Sequence, residues 1–250
     1  MGILNKLGIG NGAGATSRNV SKGLPTGNNG QTRGSGIVAV GTPKAPEQSE
    51  TTRLSNGLKE FLWNLDGLGR GTMLDLGPAW QTTLNFFIER GFRVSSDDIL
   101  RSYKDFMVQE EEKLRQAAAS NEIIDHTPAG RAQRFVESAL NYPSSSFDAV
   151  LLWDVLDYLE PTAAKQTVAC ITELLRPGGV VLAMFHSKKP EGFHRYRVAD
   201  SNTLQVISAK PLCPAQRVYQ NREIQDMFSR YRTMKSFVGR DQLRETLFIK

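Results

Sequence analysis

Residues Met73–Ile99, MLDLGPAWQTTLNFFIERGFRVSSDDI, read as strand, turn, helix, turn and strand. Met73 to Leu76 form a short apolar run that reaches Gly77, a residue that permits a tight turn and a close approach to the backbone. TTLNFFIERG carries its apolar side chains at helical spacing and closes on Gly91, the residue type that most often follows a helix. FRVSSDDI is a second strand that ends in two acids, Asp97 and Asp98. Two such strands joined by a helix form a unit whose strands run parallel.

The alternation continues on both sides. Upstream, Ser55-Asn56-Gly57 opens a helix in which Leu58, Phe61, Leu62 and Leu65 share a face, and folded structure is expected to begin near residue 55. Downstream, 98–120 predicts a long charged helix with Ile99, Tyr103, Phe106 and Met107 on one face and Glu110-Glu111-Glu112 on the solvated side. RFVESALNYP reads as a third strand with its loop, and FDAVLLWDVL as a fourth strand. TAAKQTVACITELL is an amphipathic helix ended by Arg176-Pro177-Gly178-Gly179, and VVLAMFH is a fifth, continuously apolar strand. RYRVAD and TLQVIS predict a hairpin inserted within 187–220, REIQDMFSRY a last helix, and KSFVG with LRETLFIK an antiparallel hairpin. The expectation is an α/β, doubly wound, mostly parallel sheet with helices on both faces and a C-terminal antiparallel hairpin.

Composition sets the boundaries. Residues 1–50 hold 11 of the 22 glycines and no Phe, Trp or Tyr, so they are expected to form a disordered leader, with the folded domain over 51–250. GIGNGAG in that leader lacks the strand and helix that a phosphate loop needs, and reads as linker. The formal charge of +5 is uneven: +3 over 1–50, −5 over 51–186 and +7 over 187–250. The whole-chain charge is therefore poor support for a nucleic-acid partner, and the basic end reads as a solvated face on an acidic domain. Two cysteines exclude a disulfide framework and a four-cysteine zinc site, and no run is long and apolar enough to span a membrane. With neither a secretory signal nor a lipidation pattern, the expected setting is cytoplasmic.

In an open α/β sheet, ligands bind beyond the carboxyl ends of the strands. Those ends supply Asp75-Leu76-Gly77, Asp97-Asp98, Trp153-Asp154 and Phe185-His186. Gly77 and Asp98 are 21 residues apart, which suits a glycine turn followed by a carboxylate that accepts from ribose hydroxyls. With LNYPSSSFDAVLLWDVLDYL and ITELLRPGGVVLAMFH, the chain from about residue 55 onward resembles the class I S-adenosylmethionine-dependent methyltransferases.

That resemblance implies a sheet of seven strands and S-adenosylmethionine as cofactor. It implies that Asp75, Gly77 and Ala79 hold the methionine part, that Asp98 holds the ribose, that Ser138 contacts the adenine, and that Trp153 flanks the cofactor. The family's three alternate glycines stand here as Gly77, Ala79 and Gln81. Each residue also has a plain reading: Asp75 and Asp98 as caps, Ser138 as a loop residue, Trp153 as core. His186 is the candidate general base, by its position and its titration range. No metal site is expected, because His186 and His194 lack a third ligand. The methyl acceptor is expected to be a small molecule above the fifth strand. Two alternatives stand beside this: a non-enzymatic binding or regulatory member of the same fold, and a nucleic-acid-associated methyltransferase.

Overall fold

The computed structural model describes residues 50–120 and 125–250. Apart from Glu50, the expected leader lies outside the described residues, and so does its GIGNGAG stretch. In chain order the elements are β1 (Glu50–Leu54), α1 (Asn56–Leu65), β2 (Gly71–Asp75), α2 (Gln81–Ile88), β3 (Phe92–Ser96), α3 (Ile99–Ser120), α4 (Pro128–Ala139), β4 (Phe147–Trp153), α5 (Pro161–Leu174), β5 (Leu175–His186), β6 (His194–Val198), β7 (Thr203–Ser208), α6 (Asn221–Met227), β8 (Thr233–Val238) and β9 (Leu243–Ile249).

The main sheet has the order β3-β2-β4-β5-β9-β8. β2 pairs parallel with β3 on one side and β4 on the other, β4 pairs parallel with β5, and β9 runs antiparallel to both β5 and β8. The order therefore reverses between β2 and β4, the place where open α/β sheets form a ligand crevice beyond the carboxyl ends of their strands. β4 and β5 are apolar along most of their length because the sheet is covered on both faces. Phe61 of α1, Phe87 of α2, Phe135 of α4, Phe185 of β5 and Phe248 of β9 are fully buried. Phe87 meets Phe61, Phe86 and Phe92 edge-on, a favoured geometry for aromatic pairs. Gly91 has φ +87, and a Cβ there would lie 2.4 Å from the Gly69 carbonyl oxygen, so the turn after α2 admits only glycine.

Three expectations are corrected. The main sheet has six strands among the described residues, not seven, because RFVESALNYP supplies no strand. Its first six residues belong to α4, which is capped by Thr127, whose Oγ1 accepts from Gly130 N, with Pro128 in the first turn. Ala132, Phe135 and Val136 bury one face of α4, and Phe135 packs on Tyr103 and Phe106 of α3. The acid run on α3 is also not uniformly solvated: Glu110 is buried and bonded to Arg134 of α4.

Third, ordered structure starts before residue 55. β1 pairs antiparallel with β7, which pairs with β6, forming a three-stranded sheet. ETTRL has no alternating apolar pattern, and its strand is fastened by backbone pairing and by Arg53. Arg53 Nη1 lies 2.5 Å from Oε1 of the buried Glu245 on β9, whose Oε2 accepts from Gly57 N at the start of α1. Removing the guanidinium would leave a buried carboxylate without a counter-charge. Arg53→Met should therefore lower unfolding stability by about 3 kcal/mol in a denaturant titration, and adding Glu245→Gln should recover most of the loss. A double variant as unstable as the single one would show that this ion pair does not hold β1.

Candidate active site

The crevice is built from the ends of β2 and β4. Asp75 ends β2 and is buried; its Oδ1 accepts from Trp153 Nε1 at 2.7 Å and from Gly77 N at 3.0 Å. Its Oδ2 has no partner. Burial pushes the carboxyl up to about 6, against the two hydrogen bonds that favour the charged form. Trp153 ends β4 at φ +52, in the left-handed region that a bulky residue adopts only under constraint, after a register shift in the β4–β5 pairing. Its indole lies against the glycine turn, so that a Cβ on Gly77 would stand 2.6 Å from Nε1.

The β6–β7 hairpin contributes the opposite wall. Tyr196 of β6 stacks on Trp153 with the ring centroids 5.9 Å apart and the planes 11° apart. Arg195 Nη2 donates to both oxygens of Asp98, at 3.0 and 2.9 Å. Val198 N donates to Thr83 Oγ1, which ties β6 to α2. Asp98 also caps α3 loosely, accepting from Arg101 N at 3.3 Å, while Asp97 accepts from Tyr142 OH. The cap reading of Asp98 describes its contact with Arg101 N, and Arg195 occupies both of its oxygens.

The remaining expected residues fall elsewhere. Ser138 sits on α4 and donates to Phe135 O within the helix, not at a strand end, because the strand that was to present it is a helix. Ala79 is exposed in the turn. Gln81 is exposed at the first position of α2 and donates to Asn85 Oδ1, so it does not fill the crevice; Trp153 and the β6 side chains do. Arg195 and Tyr196 in this role have no signal in the sequence beyond their membership of the basic segment.

A second cluster lies at the end of β5. His186 Nδ1 is 2.9 Å from Oδ2 of the fully buried Asp157, which also accepts from His186 N at 2.7 Å. Its Nε2 is 3.7 Å from Oδ2 of Asp154, which accepts in turn from Tyr196 OH at 3.2 Å. Burial raises the Asp154 carboxyl to about 6 and raises Asp157 as well. Burial alone would lower His186, but the hydrogen bond to Asp157 and the two carboxylate charges carry it above its ordinary value. The spacing D-V-L-D places both acids on one side of the helical turn at 155–158, and that was the available sequence signal. No group of side chains able to hold a metal ion occurs among the described residues.

The donor set suits a nucleoside: two strand-end carboxylates, one glycine turn, and an unpartnered buried oxygen on Asp75. The arrangement is closed, because Arg195 occupies Asp98 and the Trp153 indole covers Gly77.

Neither the family models nor the curated proteins contain a match to the chain. Among solved structures it is similar to the Burkholderia thailandensis 1,6-didemethyltoxoflavin-N1-methyltransferase with bound 1,6-didemethyltoxoflavin and S-adenosylhomocysteine: 19% identity, 78% of this chain and 79% of that chain covered, TM-score 0.44. It is also similar to a SAM-dependent methyltransferase from Aquifex aeolicus, at 15% identity, 78% and 90% coverage and TM-score 0.41. A third is a SAM-dependent methyltransferase from Methanosarcina mazei, at 16% identity, 73% and 93% coverage and TM-score 0.39. The fold is defined here by the strand order and its reversal between β2 and β4.

The raised carboxyl of Asp75 has a pH signature. A group that binds its proton more tightly when folded adds stability below its unfolded value, and that contribution is lost as pH rises toward the folded one. For Asp75 the window runs from 3.8 to about 6. Asp75→Asn keeps an acceptor for Trp153 and Gly77 but cannot ionise. At pH 8 it should melt several degrees above the unsubstituted protein, on the order of 2 kcal/mol, with the gap narrowing toward pH 4. A gap that does not change with pH would show that Asp75 is not a strained buried carboxylate.

Proposed function

We propose that this chain is an S-adenosylmethionine-dependent methyltransferase whose cofactor crevice, between the ends of β2 and β4, is covered by the β6–β7 hairpin. The observation that carries this reading is the pairing of Asp75 and Asp98 at neighbouring strand ends, with one buried Asp75 oxygen left without a partner. Asp98 would hold the ribose diol, Asp75 and the Gly77 turn the methionine part, and Trp153 a flank of the cofactor. When bound, the cofactor supplies an electrophilic methyl group. The chain's own residues then orient the two reactants and exclude water, which is most of what a one-step displacement requires of a protein.

For this crevice to fill, Arg195 must leave Asp98 and the Trp153–Tyr196 stack must move from the glycine turn. The same contacts support a second reading, a non-catalytic member of the fold that works by binding. A nucleic-acid acceptor is the weakest reading. Tyr196 and Tyr219 are buried, and Arg195, Arg197, Arg217 and Arg230 are engaged with Asp98, Glu50, Glu223 and Glu173. A small-molecule acceptor is therefore favoured. No described helix is long and apolar enough to cross a membrane.

Calorimetric titration of the full chain with S-adenosylmethionine and S-adenosylhomocysteine decides between the two readings. Binding is expected, weakened by tenfold or more in Asp98→Ala, since that change removes the ribose acceptor. Arg195→Ala should tighten it by about tenfold, because the competent state no longer has to break a charge-assisted pair. No heat from the unsubstituted chain or from Arg195→Ala would favour the non-catalytic reading.

A further inference from the structure

A cavity of about 470 Å³ lies beside the crevice, between the end of β5, strands β1 and β7, and the β8–β9 turn. That volume is within the usual range for small-molecule sites, roughly 300–1,000 Å³. Its charged lining is Arg53, Lys188, Lys189 and Arg240 against Glu191 and Asp241. Arg53 is held by Asp241 and Glu245, and Lys188 by Glu191. Lys189 and Arg240 are exposed at the rim and have no acidic partner among the described residues. The cavity therefore carries two unspent positive charges at its mouth.

Its inner wall includes His186 and Tyr196. Asp157 Oδ2 accepts the His186 backbone N–H, and as an ionised carboxylate it can only accept from the ring as well, which assigns the ring proton to Nδ1. Nε2 then carries the lone pair of the neutral ring, at 3.7 Å from Asp154 Oδ2. A proton arriving there gives an imidazolium placed between two buried carboxylates, Asp157 and Asp154.

We propose that this cavity binds a small organic anion bearing an ionisable hydroxyl, with the anionic group held by Lys189 and Arg240 and the hydroxyl facing His186. The inference deepens the methyltransferase reading and rests on it for the word acceptor: this anion would be the molecule that is methylated. In the proton step the O–H bond of the ligand breaks, its electron pair stays on oxygen, and an Nε2–H bond forms on His186. Asp157 acts as the positioning residue that fixes the ring tautomer, and Asp154 and Asp157 together balance the charge that appears.

The test uses the full chain without cofactor, so that it reads the cavity and not the crevice. The probes are 4-hydroxybenzoate and its neutral methyl ester, titrated by calorimetry and followed through the ring ¹⁵N resonances of His186. The acid should bind about tenfold more tightly than the ester, and Lys189→Gln with Arg240→Gln should abolish that preference while leaving ester binding unchanged. In the free protein the His186 signals should report the Nδ1–H tautomer, and they should move toward imidazolium when the acid binds. Asp157→Leu, which removes the acceptor, should abolish the tautomer preference while the rim still distinguishes acid from ester. Equal affinity for the two probes, no binding of either, or a preference untouched by the rim substitutions would overturn the proposal. Acid binding by a chain that takes no S-adenosylmethionine would leave the anion site standing and remove the methyltransferase reading instead.

Discussion

The arrangement depends on one hydrogen bond at the point where strand order reverses. Asp75 ends β2 and Trp153 ends β4, and these adjacent strands diverge in their onward connections, so their ends face a gap that no crossover fills. Trp153 Nε1 donates to Asp75 across that gap. The bond gives a buried carboxylate one of its two donors and gives a buried indole its only polar requirement. It also determines where the indole lies, against the Gly77 turn, and through the stacked Tyr196 it determines where β6 can rest. Trp153 adopts φ +52 in this position, so the local backbone is held out of its preferred region by what surrounds it.

The sheet was legible because its signals are local and strong. The β4 and β5 runs are apolar over lengths that only a doubly covered strand tolerates, and Gly77 and Gly91 mark turns whose geometry needs glycine. RFVESALNYP resembles a strand because it begins at Arg134, inside α4, whereas the start signal, Thr127-Pro128, lies earlier. β1 was illegible for a different reason. Glu50–Leu54 holds little apolar surface, and what makes it a strand is its partner β7, some 150 residues later, together with the distant Glu245. Asp75 and Gly77 could be placed at the site from strand-end logic, whereas the role of Arg195 could not. A lone arginine in a basic segment does not announce which carboxylate it will meet.

The charge distribution acquires a structural meaning. The acidic core and the basic end meet at specific pairs: Arg195 with Asp98, Arg230 with Glu173, and Arg244 close enough to Asp157 to influence its carboxyl. The exposed pairs contribute little each. Arg195 is different, since it is largely buried and one of its nitrogens, Nη2, serves both oxygens of Asp98. Much of the excess positive charge of the basic end is thus spent within the molecule, while Lys189 and Arg240 line the cavity beside His186 with no acidic partner among the described residues.

Crevice and cavity are not independent. Tyr196 presents its ring to Trp153 on the crevice side, lines the cavity, and donates its hydroxyl to Asp154, the second carboxylate beside His186. Arg195, its neighbour on β6, holds Asp98. A shift of β6 that frees Asp98 must therefore disturb the stack on Trp153 and the hydrogen bond that helps keep Asp154 charged. Asp154 would then hold its proton more readily and offer less compensation to an imidazolium at His186. Two sites that share one strand in this way exchange free energy whenever either is filled, and the sign of that exchange depends on whether Tyr196 keeps its bond to Asp154 as β6 moves.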